Sequence, residues 1–115
     1  MTFPGTLPGL LLRLFTNHKP ELLADKVASR SRAAVWNRVA HRLHTFAGAE
    51  ARGYIRARGA EVIERETDLL IAEEGAKAAR HREEILHAAA ESVIRLVLEQ
   101  AHLSNRQSLP KRRAA

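Results

Sequence analysis

The stretch "ARGYIRARGAEVIERETDLLI" at residues 51–71 decides the fold. With about 3.6 residues per helical turn, its apolar residues return to one side of a helix. That stripe comprises Ala51, Ile55, Gly59, Val62, Leu69 and Leu70. Another side carries Gly53, Ala57 and Ala60, which are small enough for a neighbouring backbone to come close. We therefore predict a helix over about 49–73.

Downstream, a second long apolar stripe predicts a helix over about 76–103. Its members recur at helical spacing: Ile85, Leu86, Ala89, Val93, Leu96, Val97 and Leu103. Gly75 separates the two patterns, and we leave two alternatives open there. Gly75 either forms a hairpin turn or lies within one continuous helix.

Upstream, two shorter helices are predicted over about 20–29 and 32–47. Arg32 would fall in the centre of the later stripe if one helix simply continued, so we predict a break at 29–32. Gly48 suits the end of the second of these helices. Residues 1–19 form an apolar lead-in with a short helix at 8–16. Residues 106–115, a basic tail, are predicted to be disordered.

Together these patterns predict one all-α domain over 20–105. No proline lies between Pro20 and Pro110, and aromatic residues make up only 4% of the 115-residue chain. We expect a small helical bundle or an elongated helical hairpin containing a long antiparallel helix pair. The absence of cysteine excludes disulfide scaffolds and thiolate metal sites. No apolar run is long enough to span a membrane, and we expect a cytoplasmic protein.

Charge is unevenly distributed along the chain. Residues 1–58 carry ten Lys/Arg and three Asp/Glu, residues 59–105 carry five and ten, and residues 106–115 add four basic side chains. Such a split favours either binding of an anionic partner or pairing of oppositely charged segments.

The leading functional hypothesis is a non-enzymatic helical protein–protein interaction module that associates with itself or with another helical protein. The candidate interface comprises Val62, Glu66, Leu69, Val93, Leu96 and Val97. Glu66 falls inside an apolar stripe, where a carboxylate either reaches an arginine or water at the edge or specifies a partner.

The alternative hypothesis is sequence-independent nucleic-acid binding through phosphate contacts. The candidate residues are Arg30, Arg32, Arg38, Arg42, Arg52, Arg56, Lys111, Arg112 and Arg113.

A metal–carboxylate protein is the third and minor hypothesis. Glu84 and His87 have the Glu-x-x-His spacing of di-metal helical bundles, but they point away from the stripe that must be buried. His41 and His44 have no third ligand in view. We find no phosphate loop or nucleophile motif, so we predict no enzyme and no cofactor.

Overall fold

The computed structural model describes the backbone of residues 19–114 and the side chains of residues 20–107. Four helices occupy this part of the chain: α1 (Lys19–Leu43), α2 (Ala49–Glu74), α3 (Ala76–Arg80) and α4 (Arg82–Ala114). The three long helices pack against one another pairwise, and the described residues contain no strand. The predicted all-α bundle is confirmed. The predicted helix at 8–16 lies outside the described residues.

The helices run up, down and up. Short connections make α1 antiparallel to α2, and α2 antiparallel to α4. Side-chain pairs show the same directions, since Arg30 in the middle of α1 pairs with Glu73 at the end of α2, and Arg38, further along α1, lies near Glu61, earlier in α2. Likewise Asp68 near the end of α2 pairs with Arg82 at the start of α4. The predicted long antiparallel pair is therefore present, and α1 and α4 are parallel.

The core runs along the line where the three long helices meet. Its fully buried large side chains include Val27, Val35 and Val39 of α1, Ile55, Ile63 and Leu70 of α2, and Ile85, Val93, Ile94 and Val97 of α4. Two polar residues, Ser31 and Thr67, are also fully buried. Thr67 satisfies its hydroxyl by donating to the Ile63 carbonyl at 2.7 Å. No partner for the Ser31 hydroxyl is present among the described residues.

The predicted break at 29–32 is wrong, because α1 is one helix from Lys19 to Leu43. Ser31 is the reason. Its small side chain is buried on the line that joins the Leu23–Val27 stripe to the Val35–Val39 stripe. Arg32 lies beside that line, remains exposed, and reaches across to Gln100. Buried positions recur every four residues from Leu23 to Leu43, which is longer than one turn of about 3.6 residues, so the buried face rotates gradually along the helix.

In α2 the same rotation moves the buried positions by one residue. Ile55, Gly59, Val62 and Leu70 are buried as predicted, but the second half of the helix also buries Ile63 and Thr67, which the predicted stripe leaves out. Leu69, predicted in the stripe, is 51% exposed. A straight helix places residues by a fixed 100° step, so its error accumulates over several turns.

Both predicted glycine positions are turns, although Gly48 has a different role from the one predicted. Gly75 separates α2 from α3 with φ 101° and ψ −165°, which confirms the hairpin turn and excludes the continuous helix. Gly48 precedes α2 with φ 55°, whereas α1 already ends at Leu43. In the loop between them, the Thr45 hydroxyl donates to the Arg42 carbonyl at 2.7 Å, and the rings of Phe46 and Tyr54 stack with centroids 4.7 Å apart.

The predicted final helix at 76–103 is interrupted at His81 and ends later than expected. His81 closes α3 by donating its backbone N–H to the Ala78 and Ala79 carbonyls. The following helix α4 continues to Ala114, so the prediction of a disordered segment at 106–115 does not hold for the backbone through 114. Residues 103–109 contain no glycine or proline before Pro110, and Leu, Arg and Gln among them favour helices.

Candidate interaction surface

One end of the bundle is incompletely covered. Along α4, Val97 is the last buried residue, and no side chain from Leu98 to Gln107 is buried. We call this part of α4, together with the end of α1 that lies beside it, the open end. It carries Leu98, Ala101 and Leu103, of which Leu103 is 55% exposed.

The open end exists because α4 extends past the start of α2. Leu86 and Ala90 of α4 lie against Ile63 and Ala60 of α2. Ile94 and Leu98 follow Ala90 at intervals of four residues, on the same side of the helix. Ile94 is fully buried, but Leu98 is only partly covered, because α2 begins at Ala49 and does not continue alongside.

A crevice of about 500 Å³ separates the last turns of α1 from α4 at the open end. It is lined by Trp36, Ala40, Leu43, His44, Ala101, Ser104 and Asn105. Trp36, Ala40 and Ala101 are half-buried. On its other flank, α4 forms a groove with Arg52, lined by Glu91, Ser92, Arg95, Leu98, Glu99, His102 and Leu103. The open end is therefore concave on both sides of α4.

The structure does not place the candidate interface residues together on one accessible surface. Val62, Val93 and Val97 are buried in the chain's own core, so they are not accessible to a partner of the folded bundle. Leu96 is half-buried and Leu69 is exposed. Glu66 is half-buried. The hydrogen bond to Glu73 raises the pKa of Arg30, and the charge of Glu66 acts in the same direction.

Most of the arginines proposed for nucleic-acid binding have partners within the chain. Arg30 donates two hydrogen bonds to Glu73, at 3.0 and 3.2 Å. Arg52 and Arg56 both donate to the carboxylate of Glu91.

Two further arginines of the set make contacts across helices. Arg38 lies 3.9 Å from Glu61 and donates to the Arg58 carbonyl, and Arg32 donates to Gln100 at 3.0 Å. Arg42 is exposed and makes no ion pair among residues 20–107. The side chains of Lys111, Arg112 and Arg113 lie outside the described ones. The basic front and acidic middle of the sequence therefore pair with each other within one molecule.

These ion pairs shift the pKa values of the groups that form them. The hydrogen bond from Arg30 lowers the pKa of the Glu73 carboxyl, and the one from Arg82 lowers the pKa of Asp68. The hydrogen bond from Arg56 lowers the pKa of Glu91, and the charges of Arg56 and Arg52 act in the same direction. Because all three carboxylates lie at exposed helix–helix junctions, each pair contributes modestly to stability.

The candidate metal ligands are dispersed. Glu84 and His87 are both exposed on α4, and Glu84 lies 3.4 Å from the ring of His81. His41 and His44 are exposed at the end of α1. Among the described residues, no group of three or more His, Asp or Glu side chains is arranged to hold a metal ion.

The crevice beside Trp36 was not predicted from the sequence. The sequence predicts Trp36 and Ala40 as members of the apolar stripe of the helix at 32–47, and Ala101 is not a member of the stripe predicted for the helix at 76–103. The last predicted helix is longer than the others, so one of its ends has no neighbouring helix to cover it. Which end that is depends on the direction of each helix, and only the assembled bundle shows those directions.

None of the described helices meets the length and apolarity that crossing a membrane requires. Comparison with protein-family models, with curated proteins and with solved structures finds no match to this chain.

Proposed function

We propose that this chain is a non-enzymatic helical protein–protein interaction module that uses its open end to associate with a second copy or with another helical protein. The supporting observation is the uncovered segment of α4 from Leu98 to Gln107, which carries leucines beside a tryptophan-lined crevice. Tryptophan is enriched among binding hot spots, and exposed apolar patches mark interaction sites.

Burial of Leu98 and Leu103 by an incoming helix would supply the affinity. Each fully buried leucine contributes about 1.5–3 kcal/mol, before the cost of association. The incoming helix would occupy the position beside α4 that α2 leaves vacant beyond Ala49. Packing of this kind extends the bundle by one helix and needs no rearrangement of its core.

Sedimentation velocity between 5 and 500 μM, a range suited to about micromolar association, tests the self-associating form. We expect the sedimentation coefficient to rise with concentration. The variant Leu103→Gln removes an exposed leucine from the open end, and Leu69→Gln removes one of similar exposure from the far half of α2. Only Leu103→Gln is expected to weaken association.

Equal effects of the two substitutions would show that the open end is not the surface used. A monomer at every concentration would reject self-association, and the open end would then have to bind a different helix.

Nucleic-acid binding remains the alternative proposal. The pairing of Arg30, Arg52 and Arg56 with carboxylates weighs against it, because phosphates would have to displace Glu73 and Glu91. Fluorescence anisotropy of labelled duplex DNA and single-stranded RNA tests it. A steep fall of affinity with salt, abolished by Arg42→Gln, would support it.

A further inference from the structure

The two halves of the bundle differ strongly in charge. The half that contains the open end, residues 31–61 and 88–107, carries eight Lys/Arg and four Asp/Glu. The opposite half, residues 20–30 and 62–87, carries six and nine. The open end therefore lies at the positive pole of an asymmetric molecule, and an approaching acidic partner is steered towards it.

The side chains around the crevice also favour a negatively charged partner. None of its described lining residues is Asp or Glu. His44 lies at its rim, and Arg32 precedes Trp36 by one helical turn. Arg32 donates only to the neutral amide oxygen of Gln100, and no carboxylate pairs with it among residues 20–107. The groove on the other flank differs, because Glu91 and Glu99 there neutralise Arg52 and Arg95.

The crevice combines apolar surface with a polar rim, and its apolar part favours a peptide over a nucleic acid. Trp36, Ala40, Leu43 and Ala101 present ring and aliphatic surface between two parallel helices. Phosphate backbones gain little from such a surface, whereas the apolar face of an amphipathic helix fits a groove between helices. Ser104 and Asn105 supply hydrogen-bonding groups at the edge.

From these observations we infer that the crevice binds an amphipathic helix whose apolar face is flanked by Asp or Glu side chains. The apolar face packs on Trp36 and Ala101, and the carboxylates face Arg32 and His44. The half of a second copy that contains the open end does not supply such an acidic helix, since its described side chains carry a balance of +4; self-association through Leu103 would use the groove on the other flank of α4 instead. This inference rests on the proposed function of the open end.

Trp36, the only tryptophan, makes a direct test possible. The probe is a helical peptide of Leu, Ala and Glu without aromatic residues, compared with a peptide in which Lys replaces every Glu. We expect the acidic peptide to shift Trp36 emission to shorter wavelength with saturation, and the basic peptide to have no effect. Raising the salt concentration is expected to weaken the binding of the acidic peptide.

Variants identify the surface. Ala40→Glu places a carboxylate in the crevice and is expected to weaken binding by about tenfold or more. Ala57→Glu, the same substitution at an exposed position on α2, is the matched control and is expected to leave binding unchanged. Arg32→Gln changes an exposed side chain and keeps the fold, so a loss of affinity there confirms the charge requirement.

The outcomes separate this inference from the proposed function. Equal binding of both peptides, or equal effects of Ala40→Glu and Ala57→Glu, would overturn it. If neither peptide binds but sedimentation shows association that depends on Leu103, the module is homotypic and only the acidic-helix inference fails. Displacement of the acidic peptide by single-stranded RNA through the same residues would instead identify a nucleic-acid surface.

Discussion

Ser31 shows how one residue holds α1 together at some cost in stability. It lies fully buried where two apolar stripes of the helix meet, and its small side chain continues that buried line. Its hydroxyl has no partner among the described residues. A buried hydroxyl without a hydrogen bond is unfavourable by about 1–3 kcal/mol.

Replacing Ser31 with alanine is therefore expected to raise the free energy of unfolding. We expect Ser31→Ala to raise the free energy of unfolding by about 1 kcal/mol more than Ser29→Ala does. Ser29 is exposed on the same helix, so Ser29→Ala measures the effect of helix propensity alone. Urea unfolding followed by circular dichroism measures both. A loss of stability in Ser31→Ala would mean that the hydroxyl makes a favourable bond inside the bundle.

At Gly59, α2 lies close against Val35 of α1. A Cβ atom there would lie 3.0 and 3.1 Å from the two methyl groups of Val35. Val35 is fully buried, and a valine in a helix has essentially one side-chain rotamer, so it does not move aside easily. The gain of about 1 kcal/mol in helix propensity is then offset by overpacking of about 1–3 kcal/mol.

We expect Gly59→Ala to lower the free energy of unfolding by about 1 kcal/mol. Gly53→Ala is the matched control in the same helix, because nothing lies within 4 Å of a Cβ at that position. It is expected to stabilise by about 0.5–1 kcal/mol. In a Val35→Ala background, Gly59→Ala should become stabilising. Additive effects in that double-mutant cycle would disprove the contact with Val35.

At the scale of helices, the sequence predicts well which segments are helical, and less well where each helix begins and ends and which of its faces is buried. The α2 helix was found because its apolar stripe recurs over several turns, and Gly75 was found because it separates two such stripes. The rotation of the buried face was not foreseen, so a break was predicted in α1 and Leu69 was assigned to the core instead of Thr67. The rotation arises from three helices winding around each other, which single-helix periodicity does not contain.

The same limit explains the candidate site. Val62, Val93 and Val97 have the apolar spacing of an interface, but periodicity does not say whether the chain or a partner covers them. The open end depends on where α2 begins relative to α4, and that is a property of the assembled bundle. The separation of basic and acidic segments is visible along the sequence. Which side chains pair, such as Arg30 with Glu73, depends on how the helices pack and is not visible there.

The turn between α2 and α3 depends on Gly75. Its φ of 101° with ψ of −165° lies in a region that is essentially restricted to glycine. Space is not the constraint, because nothing lies within 4 Å of a Cβ there. We expect Gly75→Ala to destabilise by about 1–3 kcal/mol, and Gly75→Asn to rescue little, since asparagine tolerates left-handed helical angles but not this ψ value. Thermal unfolding of both variants measures this, and an unchanged midpoint in Gly75→Ala would show that the turn adopts another conformation.

For the whole molecule, the ion pairs between helices link stability to pH. Hydrogen bonds from arginines lower the pKa values of Asp68, Glu73 and Glu91 below those of the unfolded chain. A carboxyl whose pKa is lowered by folding contributes stability above its unfolded pKa of about 4. That contribution disappears as the pH falls through the lowered value, when the folded protein also binds the proton.

We therefore expect the urea midpoint to be nearly constant from about pH 7 to pH 5 and to fall progressively below about pH 4.5. The variant Asp68→Asn/Glu73→Gln/Glu91→Gln removes the three carboxylates that join α1 and α4 to α2. It should be less stable than the native chain at pH 7 and lose stability less steeply in acid. Glu50→Gln, at an exposed carboxylate with no ion pair among the described residues, is the control and should keep the native slope. If the triple variant and the native chain lose stability in parallel below pH 4.5, these pairs do not hold the three helices together, and the acid sensitivity must come from other carboxyls.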